Sequence, residues 1–225
     1  AAAAAGPPPA VAPATSLSTD VYTDPDRHAR ELAAIRRRPV AVAAASELAE
    51  PGAFITVRLA GVPVLVARAA DGSIAASLNV CAHRGATVEP RECGSARIFA
   101  CGFHGWSYEL DGTLRSVAEA DTFSTVPIDT GLRRLAAEER YGIVWATPDP
   151  VDPLPVAEWL GPELDELLDG LGTDGFAAFT SAEYDLACNW KMLTDGFLET
   201  YHLRYLHRNS IAPYFPSNLL VSKRA

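Results

Sequence analysis

The stretch ACGFHGWSY, residues 100–108, puts Cys101 three positions before His104. A second stretch, NVCAHRG at 79–85, puts Cys81 two positions before His83. Each is a short, glycine-bearing loop between strand-like segments. Two loops that each supply one thiol and one imidazole form a metal-binding pattern, with zinc and an iron–sulfur cluster as the candidates. Donor order weighs between them. Zinc sites commonly bring both Cys from one place and both His from another. One Cys and one His per loop instead suits two unlike irons, one held by two thiolates and one by two imidazoles.

The flanking sequence predicts what carries these loops. FITVRLAGVPVLVARAADGSIAASLNV, residues 54–80, reads as strand, turn, strand, turn, strand, with Asp71-Gly72 as a hairpin signal. ARIFAC (96–101), SYELDGTLRSV (107–117, with Asp111-Gly112) and RRLAAEERYGIVWATP (133–148) continue the texture. Short strands with regular punctuation predict a small antiparallel sandwich or barrel over residues 51–150.

Upstream, residues 1–20 are rich in Ala and Pro and are expected to be a disordered tail. TDPDRHARELAAIRRRP (23–39) predicts a helix within a helical segment at 21–50. Thr23 is the expected cap and Pro25 lies in the first turn. Arg36, Arg37 and Arg38 are expected at the solvated far end, and His28 on the surface. Downstream, DPVDPLP (149–155) reads as a linker. Gly161-Pro162 opens a helix whose Leu164, Leu167, Leu168 and Leu171 form a core stripe. AFTSAEYDLAC (178–188) looks like a strand. Cys93 is expected to be a plain loop or strand residue and Cys188 a small buried one.

The bulk properties exclude some classes. A net charge of −9 argues against general nucleic-acid binding. No apolar run is long enough for a membrane span, and no basic-then-apolar leader opens the chain. The expected compartment is the cytoplasm. The chain of 225 residues starts AAAAAGPPPA without Met and stops soon after its most polar motif. It is therefore expected to be a fragment of a longer product.

CAHRG followed by CGFHGWSY resembles the signature of Rieske [2Fe–2S] proteins. The resemblance implies that Cys81 and Cys101 bind one iron of the cluster, and His83 and His104 the other. Respiratory-chain members carry an extra Cys in each loop, where this chain has Ala86 and Phe103. They also place a serine that hydrogen-bonds a sulfide where this chain has Trp106. Losing that donor puts the expected potential toward the low end of the Rieske range. Trp106 and Tyr108 are expected to pack beside the cluster.

A second polar group lies in NWKMLTDGFLETYHLRYLH, residues 189–207. On a single helix Asp195, Glu199 and His202 would share one face. His207, five past His202, requires the helix to end or distort. This stretch resembles the opening of the catalytic domain of Rieske non-heme iron oxygenases. The resemblance implies His202 and His207 as two ligands of a mononuclear Fe(II), Glu199 as the bridging carboxylate between the metals, and Asp195 as a polar neighbour of the iron. The family's third ligand is an acidic residue further downstream, and 208–225 contain no Asp or Glu.

The expected fold class is α+β. A small antiparallel β Rieske domain (51–150) would be followed by the truncated start of a helix-containing α+β catalytic domain (151–225). The resemblance implies an oxygenase α subunit fed by NAD(P)H only indirectly, through a flavin reductase with or without a ferredoxin. Such a protein hydroxylates an aromatic or alkylamine-type organic substrate with O₂ and forms a homotrimer or larger assembly. By the same resemblance, Glu199 leans toward monooxygenation or demethylation. The rival readings are a Rieske ferredoxin-like electron carrier and, behind it, a zinc-stabilised module.

Overall fold

The structure, a computed structural model, describes residues 16–123, 130–149 and 151–214. Of the tail expected over 1–20, residues 1–15 lie outside the described residues, as does Pro150 of the expected linker. The chain divides into two compact units. One comprises the described parts of 1–29 and 185–224, the other residues 30–184.

Helix α1 (Asp20–Thr23) is a single turn, and α2 (Pro25–Ile35) follows it directly. The cap of α2 is Asp24, not Thr23, which belongs to α1. Asp24 Oδ1 accepts from the N–H groups of Asp26 and Arg27 at 2.8 and 3.0 Å, satisfying donors that a helix start leaves open. Arg36, Arg37 and Arg38 lie beyond the helix rather than in its last turn. Arg36 Nε donates to Ala60 O at 2.8 Å, and Arg38 sits 5.0 Å over the Trp159 ring. Arg36 is half-buried and its guanidinium is used inside the fold, whereas Arg37 and Arg38 are exposed, as a solvated end requires. His28 is half-buried rather than a surface residue.

Ten strands follow: β1 (Val40–Ala44), β2 (Ala53–Leu59), β3 (Val62–Arg68), β4 (Ile74–Leu78), β5 (Cys93–Ser95), β6 (Phe99–Ala100), β7 (Ser107–Tyr108), β8 (Leu114–Ser116), β9 (Arg134–Arg140) and β10 (Ile143–Thr147) among the described residues. Strand β1 falls in a stretch expected to be helical. It pairs antiparallel with β10, a partner about a hundred residues away that local propensity does not report. A seven-stranded sheet has the order β1-β10-β9-β4-β3-β2-β5, and a three-stranded one the order β6-β7-β8. Every recorded pairing is antiparallel.

Both faces of β3 are buried, and the two-residue period sorts its side chains. Val64 and Val66 pack with Leu48, Ile55, Leu135 and Val144 on one face. Leu65 and Ala67 pack on the other with Phe54, Phe99, Tyr108 and the two loop cysteines, Cys81 and Cys101. The sheet thus gives the loops an apolar floor. Leu65→Ala opens a cavity in that floor and is expected to destabilise the protein by about 3 kcal/mol. A urea titration reads this as a lower midpoint at unchanged slope.

Helices α3 (Val156–Leu160) and α4 (Pro162–Gly170) come next. The leucine stripe of α4 is not core: Leu164, Leu167 and Leu171 are all exposed. Periodicity identifies an apolar face but not what covers it. Residues 178–188 form no strand, and Cys188 is exposed rather than buried. Helices α5 (Trp190–Leu198) and α6 (Leu203–Leu206) complete the described elements with regular α structure. No helix among the described residues is long and apolar enough to cross a membrane.

Candidate metal centres

Cys81 and Cys101 each open a loop of the same construction. In the first, Cys81 N–H donates to Ala86 O at 2.7 Å and Gly85 N–H to Cys81 O at 2.9 Å. In the second, Cys101 N–H donates to Trp106 O at 2.8 Å and Gly105 N–H to Cys101 O at 3.0 Å. Gly85 and Gly105 hold φ of 75° and 71°, the left-handed region that side chains disfavour. The loops differ by one step: the histidine stands third in the first loop and fourth in the second.

The framework fixes each loop at its base. The second spans β6 and β7, whose register pairs Phe99 with Tyr108 and Ala100 with Ser107. The first is stapled by buried Asn79. Its Oδ1 accepts from Val88 and Glu89 N–H at 3.2 and 2.9 Å, and its Nδ2 donates to Glu89 O at 2.7 Å. The Glu89 carboxylate pairs with Arg91 at 2.7 Å, which holds it below the usual carboxylate range. Sequence reading missed Asn79, because its three bonds become visible only once the chain has turned back on itself.

Cys81 and Cys101 are buried side chains in the apolar cluster beneath the loops, together with Trp106 and Tyr108. Tyr108 Oη lies 3.1 Å from Cys81 Sγ and accepts from Ala82 N–H at 3.1 Å. Burial, then its hydrogen bond with Cys81, pushes the phenol well above its ordinary value. The His83 and His104 rings stand 4.6 Å apart at 65°. Burial first, then the charges of His104 and Arg84, pushes His83 below its ordinary value.

That spacing can be tested against coordination. A ring nitrogen about 2.1 Å from a metal puts the ring centre about 3.2 Å away, so two rings on one ion lie about 4.6 Å apart for a right angle at the metal and about 5.3 Å for a tetrahedral one. The two imidazoles stand at a spacing that two ligands of one ion can adopt, and the two thiols are buried in the apolar cluster. Among the described residues, no three His, Cys, Asp or Glu side chains gather as a single-ion site. The donors stand in pairs.

The other unit contains the second set. Asn189 caps α5 through its Oδ1, which accepts from Lys191 N–H at 3.1 Å. The helix stops at Leu198, and Glu199 is extended, with φ −118° and ψ 151°. Asp195, Glu199 and His202 therefore do not share one helical face, contrary to the sequence reading. The cause is Glu199 itself. Its Oε2 accepts from Tyr201 N–H and from His202 N–H, the latter at 3.2 Å, and its Oε1 pairs with His202 Nδ1. The carboxylate that follows α5 thereby ties down the turn leading into α6. The hydrogen bond with His202 holds Glu199 below its ordinary value.

His202 and His207 bracket α6 as its two cap residues. Their rings lie 5.3 Å apart at 69°, again a spacing that two ligands of one ion can adopt. Asp195 accepts a 2.6 Å hydrogen bond from Tyr22, which raises the tyrosine above its ordinary value. Asn189 Nδ2 donates to Tyr22 O at 2.9 Å. Tyr22 was not singled out in the sequence; it lies 173 residues from Asp195 and no spacing rule connects them.

Residues 38–127 match the family model of the Rieske [2Fe-2S] domain. Residues 174–225 match that of the ring hydroxylating alpha subunit (catalytic domain). The alpha subunit of benzene 1,2-dioxygenase from Pseudomonas putida strain F1 is 31% identical over 189 residues, covering 81% of this chain and 42% of that protein. Chloroplastic choline monooxygenase from Beta vulgaris is 30% identical over 195 residues, covering 83% and 43%. Among solved structures, a quaternary ammonium Rieske monooxygenase in complex with its substrate L-carnitine has a TM-score of 0.72 at 29% identity, covering 81% of this chain and 53% of that one. The chain spans about two-fifths of the length of these curated relatives.

Proposed function

The chain belongs to the Rieske oxygenase alpha subunits, and from that premise we propose that it carries the electron-accepting centre and the first two iron ligands of an oxygenase. Cys81 and Cys101 hold one iron of a [2Fe–2S] cluster, and His83 and His104 the other. His202 and His207 hold a mononuclear Fe(II). The observation that carries this reading is the recurrence of paired imidazoles at ligand spacing, 4.6 Å in one unit and 5.3 Å in the other.

When bound, such a cluster supplies one-electron transfer, and such an Fe(II) the site of O₂ activation. The chain's own residues set the conditions for both. The apolar floor excludes water from the thiolate side. Tyr108 donates its proton toward Cys81 Sγ. Glu199 orients His202 through Nδ1, which leaves Nε2 for the metal, as outer-shell carboxylates commonly do. Asp195, held by Tyr22, is the polar neighbour of that site.

Electrons come from NAD(P)H by way of a flavin reductase, with or without a ferredoxin, in a cytoplasmic homo-oligomer. The substrate is an organic molecule, aromatic or alkylamine in type. A quaternary ammonium is the first class to assay. Two of the relatives carry that chemistry in their names, and Glu199 stands at the bridging position.

Metal analysis with EPR on anaerobically purified protein tests the reading. A reduced-state Rieske signal with three irons per chain supports the oxygenase; the same signal with two leaves only an electron carrier. Zinc without a signal overturns the proposal. Tyr108→Phe adds a graded check. A hydrogen bond about 1 kcal/mol stronger to the reduced cluster is worth about 40 mV in a one-electron couple. The variant is expected to keep its cluster and titrate lower by about that much.

A further inference from the structure

Loop two holds loop one at both of its donors. Tyr108 reaches Cys81, and Trp106 reaches His83. The indole and imidazole rings are parallel to within 5°, with centres 4.9 Å apart, an offset stack. Trp106 is only 7% exposed, and its carbonyl closes loop two on Cys101 N–H. The indole is therefore a fixed plate. His104 leans on a different kind of ring. Phe103, its neighbour in the same loop, lies 4.1 Å away and is tilted by 39°. Phe103 is 64% exposed, so little of the fold confines it.

An imidazole bound through one nitrogen can still turn about the nitrogen–metal axis. The plane it adopts sets how its orbitals overlap those of the iron, and hence how electron spin spreads onto that nitrogen. A flat neighbour in parallel contact restricts this rotation, because turning the ring drives its edge into the plate.

We propose that Trp106 is a positioning residue that fixes the plane of the His83 imidazole, so that the two histidines of the pair are held unequally. This rests on the reading that Cys81, His83, Cys101 and His104 hold the cluster. Trp106 thus does more than fill the space beside the loops. It acts through His83 and does not itself touch a reacting atom.

Pulsed EPR of the reduced, cluster-loaded protein resolves the nitrogen couplings of the two histidines. In the unmodified protein one coupling should be sharp and the other broad. Trp106→Met removes the flat ring and should shift and broaden the sharp coupling at unchanged cluster content. Trp106→Phe keeps a ring and should restore it. Phe103→Leu should alter only the broad one. Equal widths in the unmodified protein overturn the proposal. So do unchanged couplings in a fully loaded Trp106→Met. If Trp106→Met takes up no cluster, the unmodified widths together with Phe103→Leu decide the matter. A normal Rieske signal with unchanged couplings overturns this inference alone. Absence of any Rieske signal in the unmodified protein overturns the cluster assignment and this inference with it.

Discussion

Cys81→Ser is expected to remove the cluster altogether: iron falls by about two per chain, and the reduced-state EPR signal disappears. A serine hydroxyl is a hard, weakly acidic donor, whereas the cluster irons take soft thiolates. The substitution leaves the loop's backbone bonds to Ala86 and Gly85 intact and changes side-chain volume little. Far-UV circular dichroism should therefore match that of the unmodified protein. Cys93→Ser is the matched control. Cys93 is exposed on β5, and its replacement should change neither the iron content nor the spectrum. If Cys81→Ser retains a full cluster, Cys81 is not a ligand.

Glu199→Ala is expected to weaken Fe(II) binding at His202 and His207 by roughly 10–100-fold, the usual cost of losing an outer-shell partner. The carboxylate accepts from two backbone N–H groups and holds His202 Nδ1. Alanine thus frees the imidazole and releases the turn before α6 at the same time. Glu199→Gln keeps an acceptor but loses the charge, and its effect should be smaller. Competition with a colorimetric Fe(II) chelator reads both. The cluster signal should be untouched in each variant. Equal Fe(II) affinity in Glu199→Ala and the unmodified protein would remove Glu199 from the site.

The antiparallel fold was legible because its hairpins announce themselves locally. Asp71-Gly72 sits between β3 and β4, and the short, regularly punctuated runs in 54–80 mark strands before any partner is known. β1 was not legible, since Val40–Ala44 becomes a strand only by pairing with β10. The paired donors of the two loops could be read from spacing alone, but the bonds that hold them could not. Asn79, Tyr108 and Tyr22 act across folded distance. The break at Glu199 misled helical reasoning for a physical reason. Asp195, Glu199 and His202 follow helical spacing, and what interrupts it is a side chain competing for backbone donors.

The matched closures of the two loops bear on how metal enters. Each turn is shut by two main-chain bonds that need no metal, over a floor that is packed in any case. Those bonds offset part of the loops' ordering entropy within the chain itself. A cluster bound there would meet loops already braced by the chain's own main-chain bonds, unlike small zinc modules, in which metal binding and folding are one event.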